Sequence, residues 1–206
     1  FGDDLETIKP VITDPYQSDT ASVDEAVELL LQGGRSLPHV LRMLIPEAYR
    51  DDDLMDDARK EWYDYHASLV EPWDGPALVA ATDGDRIGAV LDRNGLRPCR
   101  YDVLEEGTLV MASEAGALDH DPAEIVERGR LQPGQLFLVD PEEGRIVPDD
   151  EVFEGLLDSK YGEWVRGNQV SLGDLDDGTD RTPHEEVGGL RSHQALYGYT
   201  QDEMNH

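Results

Sequence analysis

The sequence contains one cysteine, Cys99, in 206 residues. That excludes an intrachain disulfide and a CxxC zinc site, and it fits a reducing interior. Lysine is scarce too, occurring only at Lys9, Lys60 and Lys160. No apolar run approaches the ~20 residues needed to cross a bilayer. The opening residues, FGDDLETIK, are acidic and lack the pattern of a secretory signal. A start at Phe1 rather than Met reads as a cut-out or processed piece. Nucleotide loops are missing as well: Gly107, Gly116 and Gly144 follow neither a GxGxxG nor a Walker pattern. His39, His66, His120, His184, His193 and His206 show no HExxH or clustered spacing, so no metal site is indicated.

Acid is abundant: 46 acidic residues stand against 17 basic ones, for a net charge of −29. Such a surface repels nucleic acid and anionic lipid. A solvated exterior suited to a salt-rich cytoplasm, in which counterions screen self-repulsion, accounts for it. A docking surface for a basic partner is the alternative. Hydrophobic residues make up 38% of the chain, enough for one core of good size.

The chain divides at about residue 166. Phe1–Tyr16 reads as extended, broken by Pro10 and Pro15. Ser22 and Glu25 have capping-box spacing. Val23, Ala26, Val27, Leu30 and Leu31 then share a helical face that ends at Gly33-Gly34. Leu37, Val40, Leu41 and Leu44 predict a second helix from Ser36, with Pro38 in its first turn. A third is expected from Asp53 to about Ser68, with Leu54, Ala58, Trp62 and Tyr65 along one face.

Four short strands follow, Ala77–Thr82, Arg86–Leu91, Arg100–Leu104 and Thr108–Ala112. Their short connections, with turn signals at Asp83-Gly84 and Asn94-Gly95, predict one antiparallel meander. Pro122–Arg128 is expected as a short helix capped by Asp121. Gln135–Val139 and Arg145–Val147 pair as strands, and Asp149–Lys160 forms a helix. Gly167–Gly189 is rich in Gly, Asp and Thr without apolar period and reads as a linker. The expected domains are therefore 1–166 and, from 167 to 206, the linker with the start of a following domain.

Four strings stand out in order: EPWDGP (71–76), DRNGLRP (92–98), ASEAG (112–116) and RLQPGQLFLVD (130–140). Together they resemble the glutamine amidotransferase domain of the glutamate synthases, a class II amidotransferase domain, from about Ile8 to about Trp164. LYGYT at 196–200 is similar to a string nearer that family's central domain. The resemblance implies an α+β fold, the αββα sandwich of N-terminal-nucleophile hydrolases, here incomplete. It implies release of ammonia from L-glutamine, used in the whole enzyme for reductive amination of 2-oxoglutarate to glutamate. FMN and an iron–sulfur cluster are implied for later domains. The implied partners are the remainder of the polypeptide and an electron-donor subunit or ferredoxin.

The family's nucleophile is a cysteine at the first position of the mature chain, whose own α-amine serves as base. Residue 1 here is Phe, and Cys99 is internal, so its nitrogen is an amide. No catalytic residue is therefore assigned in this chain, which is expected to be the C-terminal half of the domain. One binding position carries over from the resemblance. Asp19, in QSDTASVDEAVELL, matches the aspartate that holds the substrate's α-ammonium; otherwise it serves only to bond backbone amides ahead of a helix. Arg86, Arg93, Arg97 and Arg100 form a basic cluster, read as ion pairs to Asp85, Asp92 and nearby acids or as an anion site. Ser113-Glu114 either orients a loop near the active site or forms a buried ion pair. A non-catalytic binding or assembly module on the same scaffold is the other functional reading. A purine-pathway amidotransferase shares only the RxxGxRP string.

Overall fold

A computed structural model describes residues 9–11, 14, 16–114, 116–175 and 197. The chain falls into two units, Phe1–Asn168 and Gln169–His206. In the second, the described structure is a 3-10 turn at Leu172–Leu175, and most of the expected linker and of the LYGYT string lies outside the described residues. In the first unit, helix α1 spans Asp19–Gln32 and α2 spans Leu37–Leu44. The apolar period of α2 is realised in full, with Leu37, Val40, Leu41 and Leu44 all at 0% exposure. Burying each such leucine stabilises the fold by about 1.5–3 kcal/mol.

Helix α3 covers Asp57–Ala67 and begins later than the sequence pattern suggests. Asp56 caps it, accepting the Arg59 N–H at 2.9 Å. Upstream, the Asp52 carboxylate takes the Leu54 N–H at 2.8 Å and holds a turn. Leu54 is thereby left 97% exposed instead of on the helix face. The expected Asp149–Lys160 helix is two, α4 (Asp149–Glu154) and α5 (Lys160–Asn168). The break lies between Gly155 and Asp158, whose carboxylate receives the Lys160 N–H at 3.0 Å and starts the new helix.

Among the described residues, the strands are β1 (Leu78–Thr82), β2 (Ile87–Leu91), β3 (Arg100–Leu104), β4 (Leu109–Ala112), β5 (Ile125–Arg130), β6 (Leu136–Asp140) and β7 (Arg145–Val147). They make two antiparallel sheets, ordered β1-β2-β6-β7 and β4-β3-β5, not a single meander. The hairpins β1-β2 and β3-β4 form as expected, but β2 takes β6 as its second neighbour, with Ala89 opposite Phe137. Residues 92–99 carry the chain from one sheet to the other. Strand β5 replaces the expected helix, of which only a turn at Pro122–Glu124 remains. Its sequence, IVERGR, is mostly polar, and its pairing with β3 decides its conformation. Tyr101 of β3 lies directly opposite Gly129, where a side chain would collide with the tyrosine ring.

Helices α1 and α2 cover one face of the four-stranded sheet, Val23, Val27, Leu37 and Leu41 packing with Val90, Leu136 and Leu138. Gly88 permits the close approach of α2, since a Cβ there would stand 2.6 Å from Leu41 Cδ1. Ala89, Leu91 and Phe137, on the other face, meet Cys99, Tyr101, Leu109 and Met111, so the two sheets face each other across a shared core. A third cluster joins Met43, Tyr49, Trp62, Tyr63 and Phe153. Through it runs Arg42, at 0% exposure, which donates to Gly134 O at 2.7 Å and pairs with Asp149. Asp149 also accepts the Leu136 N–H at 2.9 Å and pairs with Arg59 at 3.0 Å.

His39 and His66 join α2 to α3, their Nε2 atoms 2.7 Å apart. His66 Nδ1 lies 2.7 Å from Trp62 O, so Nδ1 carries the proton and His39 Nε2 donates to His66 Nε2. Burial holds both rings neutral and depresses each pKa to about 4, helped by His66 and Arg35 at His39 and by Arg35 at His66. An unfolded histidine titrates near 6.5, so the unfolded chain binds more protons below that value. The stability these rings contribute is complete above pH 6.5 and declines as pH falls toward 4. Urea unfolding at pH 7, 6 and 5 is expected to show this loss, and His39→Gln, which keeps a donor for His66, to reduce its slope by about half.

Candidate substrate-binding site

Asp19 stands at the start of α1. Ahead of it, the Asp14 carboxylate accepts the Tyr16 N–H at 2.9 Å, and Asp14 O accepts the Gln17 N–H at 3.2 Å. Ser18 is extended and caps the helix, its Oγ accepting the Ala21 N–H at 3.3 Å. The cap is therefore Ser18, not Ser22. Ser22 and Glu25 instead receive the Gln17 side-chain amide, at 3.1 and 2.8 Å. This ties the approach segment to the second turn of the helix. Asp19 becomes the first helical residue, exposed, on a backbone fixed from both sides. An exposed carboxylate on such a support can hold an ammonium group by a charge-assisted hydrogen bond.

Three of the four sequence strings converge on a corner elsewhere in the first unit. Asp92, 4% exposed, is its centre. Its Oδ1 accepts N–H groups from Ala77 and Leu96, each at 3.1 Å, and its Oδ2 accepts that of Asn94 at 3.1 Å. Its own N–H donates to Ala77 O at 3.0 Å. EPWDGP and DRNGLRP are thus joined, and Arg93 Nε adds a bond to Asp74 at 3.2 Å. Gly95 has φ +61° and packs on the Pro133 ring of the RLQPGQ string, leaving no room for a Cβ. The Leu131 N–H donates to Cys99 O at 3.0 Å. Asp92 escaped the sequence reading as a hub, although an Asp two residues before Asn-Gly is the signal of a side chain that caps a turn.

The basic cluster separates. Arg86 pairs with Asp140 at 3.1 Å and Arg93 with Asp74, so both form ion pairs, though not with Asp85 or Asp92. Arg97 and Arg100 are exposed, as is Glu114, which excludes a buried ion pair for it. A cavity of about 660 Å³ adjoins the corner, lined by Glu47, Tyr49, Arg50, Asp52, Pro72 and Arg93 among others. Asp19 is not among its described lining residues. Cys99 is at 0% exposure in the core between the sheets, across the four-stranded sheet from α1, and burial raises its thiol pKa. A protonated, enclosed thiol on a peptide nitrogen has neither the reactivity nor the base that amide cleavage requires.

Comparison with known proteins gives a match to the family described as glutamine amidotransferases class-II over residues 1–164. The glutamate synthase [NADPH] large chain of Bacillus subtilis is 36% identical over 205 residues, covering 99% of this chain and 13% of that protein. Glutamate synthase [NADH] of Saccharomyces cerevisiae is 47% identical over 148 residues, 71% of this chain and 7% of the relative. Ferredoxin-dependent glutamate synthase 2 of Synechocystis is 36% identical over 204 residues, 98% of this chain and 13% of the relative. The chain therefore spans only a small part of the length of these relatives.

The corner lends itself to a direct test. Gly95→Ala places a side chain in the left-handed region and against a rigid proline ring, at a cost of about 2–4 kcal/mol. Asp92→Ala removes the charged acceptor of three partly buried N–H groups and is expected to cost on the order of 3 kcal/mol. Urea denaturation of each variant checks both values, and Arg97→Ala, on the exposed part of the same loop, is expected to stay within about 0.5 kcal/mol of the parent.

Proposed function

Because the chain belongs to the class II glutamine amidotransferases, we propose that it forms part of the glutamine-hydrolysing domain of a glutamate synthase, with Asp19 holding the α-ammonium of substrate glutamine. The family has the N-terminal-nucleophile hydrolase fold, and the two facing antiparallel sheets with helices on one side are this chain's share of it. The observation that supports the role of Asp19 is its exposed carboxylate on a backbone held directly after the Ser18 cap.

Amide cleavage needs a thiolate, a base and donors for the oxyanion. In this proposal they come from another part of a longer polypeptide, and the present chain positions the substrate's amino-acid end. The released ammonia then serves reductive amination of 2-oxoglutarate to glutamate. An iron–sulfur cluster takes several cysteine thiolates. The single buried Cys99 does not fit one, so that cluster and the flavin are assigned outside this chain. The relatives' names include NADPH-, NADH- and ferredoxin-linked enzymes, so the electron donor is left open. The working compartment is proposed to be a salt-rich cytoplasm, on the strength of the −29 charge.

In a full-length enzyme carrying this chain, Asp19→Asn is expected to raise the glutamine KM about 10–100-fold, the loss of one charge-assisted hydrogen bond. Ammonia-dependent synthesis should be unchanged; equal loss of both activities would assign Asp19 to folding instead. The chain alone is expected to show no glutaminase turnover. The salt proposal is checked by thermal unfolding, in which Tm should rise between dilute buffer and molar KCl.

A further inference from the structure

The three-stranded sheet turns one face to the core and the other outward. Tyr101, Met111 and Gly129 alternate with the outward residues, among them Arg100, Asp102, Arg128 and Arg130. The three arginines are exposed, in a chain with only 17 basic residues against 46 acidic ones. Arg100 and Arg130 stand directly opposite each other across β3 and β5. Like charges in that relation are destabilising. The nearest carboxylate, Asp102, is already engaged: it takes Arg128 at 2.6 and 3.0 Å and His120 at 2.9 Å. No described carboxylate pairs with Arg100 or Arg130. Their position is unfavourable in the chain as it stands and becomes favourable only when an anion bridges them.

We propose that this face is a docking surface for an acidic polypeptide segment, whose carboxylates bridge Arg100 and Arg130 and whose apolar side chains rest beside them. The surface has the mixed character this requires. Val110 and Ala112 are half-buried next to the arginines, while Leu118 and Val126 are 61% and 62% exposed. The adjoining hollow, lined by Arg100, Asp102, His120 and Arg128, holds only about 60 Å³. Small-molecule sites are several times larger, so a free dicarboxylate finds no enclosure here. A nucleic acid carries charge along its whole length and meets the acidic remainder of the surface. A polypeptide segment needs only a few local carboxylates, and arginine is enriched at such interfaces. The proposal is independent of the role given to Asp19.

The test uses the 206-residue chain and a fluorescent synthetic peptide with glutamates and leucines at alternate positions, titrated by anisotropy. The parent is expected to bind, and Arg130→Glu to weaken binding at least tenfold. The same variant is expected to raise Tm, because the new carboxylate faces Arg100 and removes the like-charge contact. Arg97→Glu, outside this face, should leave binding unchanged. Failure to bind, equal binding by Arg130→Glu, or a lowered Tm for that variant would overturn the proposal. So would competition by inorganic polyphosphate or free L-glutamate as effective as that by unlabelled peptide.

Discussion

The pairing of Arg42 with Asp149 is the constraint on which the helical side of the molecule depends. The guanidinium has no exposure to water, and its partner lies 107 residues further along the chain. A charge that deeply placed is tolerated only when it is matched and hydrogen-bonded. Asp149 supplies the match and, through the Leu136 N–H and Arg59, also fixes the start of β6 and the flank of α3. Gly134 O receives a second donor of Arg42, so the RLQPGQ turn is bound to the same point, while Arg42 Nε stays buried without a partner. Four elements distant in sequence are thereby held around one ion, and none can shift without stranding it.

Asp92 has a corresponding position on the sheet side. It ends β2, orders the step to β3 and anchors the approach to β1. The strings by which the chain resembles its family are in large part the pieces of this corner. Their side chains and turns serve one another: an arginine for an aspartate, a glycine for a proline ring, a carboxylate for three backbone amides. The one residue given a substrate role, Asp19, lies outside that assembly, on a helix start with its own supports.

Much of the fold was legible in the sequence because local rules and tertiary packing agree there. Leu37, Val40, Leu41 and Leu44 are both periodic and buried, and the hairpin at Asp83-Gly84 closes as its turn requires, whereas Asn94-Gly95 turns the chain between sheets. The misses occur where partners at long range decide. IVERGR has no strand alternation of its own and becomes β5 because β3 offers Tyr101 above Gly129. The pairing of β2 with β6 rather than β3 follows from packing Leu91 and Phe137 into the core between the sheets, which short-loop reasoning does not reveal. At α1, Ser18 and Ser22 both fit a capping signal, and the bond from Gln17 to Ser22 and Glu25 decides between them. The role proposed for Asp19 rests on resemblance, since an aspartate near a helix start carries no local mark of a ligand.

The seclusion of Cys99 also bears on thiol labelling. With its sulfur enclosed between two sheets and held protonated, this chain offers maleimide no accessible native thiol while it remains folded. Reaction at that sulfur therefore reports opening of the sandwich, and a cysteine introduced anywhere on the acidic exterior would be the sole labelling handle.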